Sequence, residues 1–155
     1  MCIYEKLKSL GVQLPEAPPK GGVYVPVKPF CSEKLVYVSG HGPDIVGKPF
    51  KKGKLGRDLT LEEGQEAARL CAINMLATIH THWGDLNQVK SLVKILAFVA
   101  SDDSFFEQPQ VVNGASEFFE ALFGAQVGLA ARSAIGTNVL PGNIPVEIEL
   151  VLELK

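Results

Sequence analysis

The sequence predicts an α+β fold: one mixed sheet with its helices packed on a single face, in the core order β-β-α-β-α-β-β. Three stretches carry that prediction. Residues 146–154 alternate, with Val146, Ile148, Leu150, Leu152 and Leu154 against Glu147, Glu149, Val151 and Glu153, the period of a strand with one buried face. Thr60-Leu61-Glu62-Glu63 is a capping box that opens a helix. Val89 to Val99 interrupts its apolar run only with Lys90, Ser91 and Lys94, and reads as a strand largely buried on both faces.

The elements follow in order. Ile3, Leu7 and Leu10 share a helical face, and Gly11 can close that turn. Pro15, Pro18, Pro19, Gly21 and Gly22 then forbid regular structure. Tyr24-Val25-Pro26-Val27 resumes as an edge strand, because Pro26 cannot donate to a central ladder. Leu35 to Ser39 is a firmer strand, ended by Gly40 and Gly42-Pro43. The capped helix runs to about His82, with Ala67, Cys71, Met75 and Thr78 along one stripe, and Gly84 stops it. Asp102, Asp103 and Ser104 are expected to cap a second helix, Phe105 to Phe123, ended by Gly124. Strands at 132–139 and 146–154 flank the turn Leu140-Pro141-Gly142-Asn143 and are expected to pair as a hairpin. With both helices on one face, the other sheet face still carries apolar side chains, and a second copy of the chain is the simplest cover.

A chain of 155 residues fits one domain, 1–155, with residues 1–20 as an N-terminal extension. Fifteen basic and 17 acidic residues nearly cancel, which argues against a dedicated nucleic-acid or acidic-membrane binder. No apolar run approaches the ~18 residues of a membrane span and no signal-peptide core is present, so a soluble, cytoplasmic protein is expected. Cys2, Cys31 and Cys71 are an odd count without metal-ligand spacing, and neither zinc nor a disulfide scaffold is expected. Lys48, Lys51, Lys52, Lys54 and Arg57 crowd one loop. With Phe50 as its lone aromatic, that loop reads as solvated rather than as an RNA groove.

Among candidate functional residues, Arg132 opens an apolar strand between alanines. Its guanidinium either pairs with a neighbouring carboxylate or waits for an anion that its planar fork can hold. A simple hairpin would place it opposite the far end of the last strand, away from Glu147. Ser39-Gly40-His41-Gly42 either leaves backbone amides free for a carboxylate or is a tight turn. Asn113, on an otherwise apolar helical stretch, could orient a ligand or cap a loop. His80 and His82 do not share a helical face and have no third ligand nearby, so no metal is expected.

Tyr37-Val38-Ser39-Gly40, Gly56-Arg57-Asp58-Leu59, Glu63-Gly-Gln-Glu-Ala-Ala68, Asn74, Trp83-Gly-Asp-Leu-Asn-Gln-Val89, Val112-Asn113, Ala131-Arg132-Ser133-Ala134, Leu140-Pro141 and Val146-Glu147-Ile148-Glu149 follow one another in this order. From about residue 20 onward the chain thereby resembles the RidA family, the YjgF-type enamine/imine deaminases also called L-PSP endoribonucleases. The resemblance implies a chorismate-mutase-like α+β fold and a homotrimer with clefts between subunits. It implies that Arg132 binds a substrate carboxylate, that Glu147 positions or activates water, and that Gly40 and Asn113 line the site with Ser39 and His41. Tyr24 matches the family tyrosine loosely. His41 stands where glutamine is usual and Ala134 where a cysteine is often found, marks of a divergent subgroup.

The activity implied is cofactor-free hydrolysis of a 2-aminoacrylate-like enamine, through its imine, to a 2-keto acid and ammonia. The expected partners are small 2-imino or 2-keto acids. A protein that binds small carboxylates without turnover is the alternative, and RNA cleavage a third reading with thinner support.

Overall fold

The computed structural model describes residues 2–155. A five-stranded sheet has the order β1 (Val27–Phe30), β2 (Leu35–His41), β5 (Val146–Leu154), β3 (Val89–Ala100), β4 (Ala131–Thr137). Helices α2 (Leu61–Trp83) and α3 (Gln108–Phe123) cover one face. Strand β5 runs antiparallel to both neighbours, β2 and β3, and β3 pairs with β4 in parallel. The other elements are α1 (Ile3–Ser9), the single turn α4 (Ala125–Gly128) and two short 3₁₀ turns at Leu86–Gln88 and Pro141–Asn143.

The alternation of β5 is what seats it in the middle. Val146, Ile148, Leu150, Leu152 and Leu154 are all buried beneath the helices, each worth ~1.5–3 kcal/mol when fully withdrawn from water. The capping box at the head of α2 forms as its residues dictate. Thr60 Oγ1 accepts the Glu63 amide at 3.2 Å, and Glu63 Oε2 accepts the Thr60 amide at 2.8 Å. Such a cap stabilises a helix by ~1 kcal/mol. Gly114 lets α3 cross α2 closely, since a β-carbon there would meet the Gln65 carbonyl oxygen at 2.0 Å.

Several expectations are corrected. The hairpin of the last two strands does not form. The β3-α3-β4 segment is a crossover that lays β4 beside β3 in parallel, as a right-handed βαβ unit does, and β5 inserts between β2 and β3 instead. Strand β1 begins at Val27, not Tyr24, so Pro26 lies outside it; it is an edge strand all the same, with Pro29 opposite Val36. Helix α3 begins at Gln108, not Phe105. Asp102 closes a preceding turn by accepting the Ser104 amide at 3.3 Å, and Pro109 in the first turn starts the helix proper. Strand β3 is buried on one face only; Val93, Lys94, Leu96 and Phe98 belong to the open side, with Val93 41% exposed. That open face also carries Tyr37 and Ile135, 54% and 49% exposed. The N-terminal segment joins the core through Leu7 and Val12, and the Tyr4 hydroxyl accepts the Leu86 amide at 3.0 Å.

Candidate functional site

Glu147 sits opposite Phe98 on the open face of β5, beside the point where β2 and β5 lose register between Val38 and His41. Gly40 lies in that irregularity, and a β-carbon on it would stand 2.1 Å from Glu147 Oε1. The carboxylate is therefore packed against bare backbone. Burial pushes its pKa up, and the neighbouring charge of Glu149 pushes it further in the same direction. Neither carboxylate is ion-paired among the described residues.

The two glutamates line a cleft of about 560 Å³ with Tyr24, Tyr37, Ser39, Gly40, Pro141 and Ile144 among its walls. The strap before β1 forms one wall. Ser39 donates its amide to the Pro26 carbonyl at 2.9 Å and its hydroxyl to the Val25 carbonyl at 2.8 Å. The Tyr24 hydroxyl accepts the Gly21 amide at 3.1 Å. A smaller cleft of about 320 Å³ continues under the strap past Gly40 and Gly42.

Arg132 lies elsewhere. It sits opposite Ile95 on β3, on the helix side of the sheet, whereas Glu147 faces the open side. Its Nη1 donates to Asn113 Oδ1 at 2.9 Å and Ser116 Oγ at 3.1 Å, and Nη2 donates to the Pro109 carbonyl at 3.2 Å. All three acceptors are neutral, and no carboxylate lies in ion-pair range among the described residues. The arginine is aimed by helix α3, with no counter-ion among the described residues, at a sheet edge where a ligand carboxylate can approach.

Of the sequence-predicted residues, Tyr24, Ser39, Gly40 and Glu147 therefore come together, and Arg132 and Asn113 form a second group. His41 lies beside the smaller cleft under the strap, with its ring nitrogens engaged inside the fold. Its side chain is 7% exposed and turned to α2, where Nε2 lies 2.7 Å from Thr78 Oγ1. Ser116, Glu149, Tyr37 and Ile144 were not singled out from sequence. Ser116 follows Asn113 at the i+3 spacing that shares a helical face, and Glu149 follows Glu147 at the i+2 spacing that shares a strand face; both signals were legible.

Three of the loop's five basic side chains are paired with carboxylates. Lys51 pairs with Glu63 at 2.9 Å, Arg57 with Asp58 at 2.9 Å, and Lys52 with Asp44. No group of three or more His, Cys, Asp or Glu side chains is placed to hold a metal among the described residues. No helix among them is long and apolar enough to cross a membrane.

The family model described as "YjgF/chorismate_mutase-like, putative endoribonuclease" matches residues 5–154. The chain belongs to the YjgF family. It is 41% identical to Protein TCP17 of Trypanosoma cruzi over 151 residues, 96% of this chain and 92% of that one. The crystal structure of Atu1372 from Agrobacterium tumefaciens, a protein of unknown function, matches with a TM-score of 0.90 and 40% identity, covering 99% of this chain and 92% of that one. A structure described as "a putative endoribonuclease" from Shewanella oneidensis MR-1 matches with a TM-score of 0.93 and 28% identity, over 99% and 100% of the two chains. The α+β, chorismate-mutase-like fold of this YjgF-family chain is thus shared along its length.

Proposed function

We propose that this YjgF-family chain hydrolyses small 2-imino acids, formed by tautomerisation of 2-aminoacrylate-like enamines, to 2-keto acids and ammonia. The observation that carries the reading is the division of the candidate site. A desolvated carboxylate, Glu147, stands in an open cleft, and an arginine without a counter-ion, Arg132, is held at the edge of the sheet by neutral acceptors.

Glu147 and Arg132 sit on opposite faces, so one chain cannot bring both to one small substrate. Assembly of copies through the open face would, with Arg132 of the partner subunit entering the cleft beside Glu147. A homotrimer closes such a heterologous contact into a ring. It would also cover Tyr37, Val93 and Ile135, which one chain leaves exposed.

In this arrangement the guanidinium fork holds the substrate carboxylate in two charge-assisted hydrogen bonds. Glu147 takes a proton from water as the oxygen adds to the imine carbon, giving a tetrahedral carbinolamine. The same carboxyl delivers that proton to the nitrogen and then relays the carbinolamine's hydroxyl proton to it as well; the C–N bond breaks as the C=O bond forms, and ammonia leaves with a 2-keto acid behind it. A raised pKa suits a group that must accept and then donate one proton near neutrality. The chemistry calls on no cofactor, because the imine is already electrophilic, and positioning supplies the rate.

Ammonia release from 2-aminoacrylate generated in place is the decisive measurement. Turnover above the spontaneous rate, lost in Glu147→Gln, supports the reading. Binding of pyruvate or 2-oxobutanoate without turnover would replace it with a small-carboxylate binding protein. For RNA cleavage the internally paired loop offers no extended basic groove.

A further inference from the structure

Ser39 and Gly40 lie where β2 slips out of register with β5, so the β2–β5 ladder does not fix the backbone that Glu147 packs against. The strap holds Ser39 from one side, and one buried side chain holds it from the other. The His41 ring has Nδ1 2.6 Å from the Ser39 carbonyl oxygen and Nε2 2.7 Å from Thr78 Oγ1. A carbonyl oxygen only accepts, so Nδ1 carries the proton and donates it to Ser39, while Nε2 accepts the Thr78 hydroxyl. One neutral tautomer satisfies both contacts. Thr78 is itself 1% exposed and fixed on α2, and Ser39 passes the restraint on to Val25 and Pro26. A continuous chain thus links α2 to the strap that carries Tyr24.

We propose that His41, held by Thr78, is a positioning residue that fixes the Ser39–Gly40 bulge against the Glu147 carboxylate. It does so without a hydrogen bond to substrate, since both ring nitrogens are used within the fold. The inference rests on the reading of Glu147 as the group that activates water, and it assigns to the buried histidine a duty in that site.

Thr78→Val removes the hydroxyl and keeps the shape, Thr78→Ser keeps the hydroxyl, and His41→Leu removes both contacts. Two readouts apply: the titration midpoint of Glu147, followed by carbon-13 NMR of its carboxyl group, and ammonia-release kinetics. In Thr78→Val the midpoint should fall toward the ordinary carboxylate range as the bulge loosens and water reaches Glu147. Its kcat should drop about ten- to a hundredfold, as expected of small misplacements, with KM moved by less than about threefold. Thr78→Ser should restore both. A Thr78→Val protein that melts early yet keeps the parental midpoint and kcat would show a merely structural contact and overturn the proposal. Should His41→Leu fail to fold, the Thr78 pair decides. Should the parent release no ammonia, the deaminase reading falls by itself, and the Glu147 midpoint alone judges the clamp: moved in Thr78→Val, it stands; unmoved, it falls.

Discussion

Gly40 and Glu147 are packed so closely that a methyl group on residue 40 would lie 2.1 Å from Glu147 Oε1 and 2.9 Å from Cδ. The glycine is required for close approach, since the atom in the way is a carboxylate tip at the mouth of a cleft. Gly40→Ala should accordingly displace Glu147 and leave the fold nearly intact, because a side-chain end can swing aside. We expect a stability change under about 1 kcal/mol and a loss in kcat/KM of about tenfold or more. Thermal melts beside ammonia-release rates check it; equal activity would make the close contact incidental.

Arg132 should separate binding from scaffold duty. Its acceptors Asn113 Oδ1, Ser116 Oγ and the Pro109 carbonyl are neutral, so Arg132→Ala orphans no buried charge. The ~3–5 kcal/mol penalty of breaking a buried ion pair should not appear. Loss of the carboxylate clamp should cost ~2–5 kcal/mol in a desolvated site, or roughly 30- to several-thousand-fold in affinity for a keto acid. Lysine cannot reproduce the fork, so Arg132→Lys should rescue little. Calorimetry with pyruvate on the three proteins distinguishes these outcomes.

Glu147 carries a stability signature of its own. Its pKa is raised in the fold above the ordinary 4.5 by burial and by Glu149. Its protonated form therefore favours folding, and that contribution is present below 4.5 and lost as pH rises through the raised value. Glu147→Gln, permanently neutral, should melt at or above the parental temperature at pH 8 and converge with it in acid. A variant destabilised at pH 8 would contradict the burial argument.

His41 works in the opposite sense. Burial lowers its pKa below the ordinary 6.5, so the unfolded chain takes up a proton first. Stability is full above pH 6.5 and falls as pH drops through the lowered value. Asp58, Glu63 and Asp85, lowered from 3.8, 4.5 and 3.8 by their hydrogen bonds, act in a more acidic window. Melts from pH 8 to pH 5 should show a decline that His41→Gln flattens. An unchanged decline in that variant would place the sensitivity elsewhere.

Assembly through the open sheet face should yield a trimer at micromolar concentration. Leu96→Asp sets a second carboxylate directly opposite Glu149, in a hollow shared with Tyr37, Val93 and Lys94, and should release monomers, because desolvating that added charge costs several kcal/mol. Sedimentation equilibrium reads the mass directly. A parental monomer of 16.7 kDa would remove the between-subunit site.

Residues 60–63 and 146–154 determined their own structure, because a capping box and a period-two alternation are local patterns whose physics is satisfied within a few residues. The helix stripe of α2 was legible for the same reason, as were Arg132, a charge opening an apolar strand, and the glycine-flanked turn at Gly40, whereas Glu147 became a candidate only through the family resemblance. Partner choice among strands was not. The order that seats β5 between β2 and β3 is set by where crossovers return and by which strand can bury both edges, both properties of the assembled sheet. The same distance in sequence hid two facts about the site. Arg132 and Glu147 face opposite sides because β3 lies between them with its own register, and His41 turns inward because a break in the β2–β5 ladder aims its ring at Thr78, 37 residues away. Tertiary structure decided these, since hydrogen-bond partners distant in the chain are chosen by the packing of whole elements.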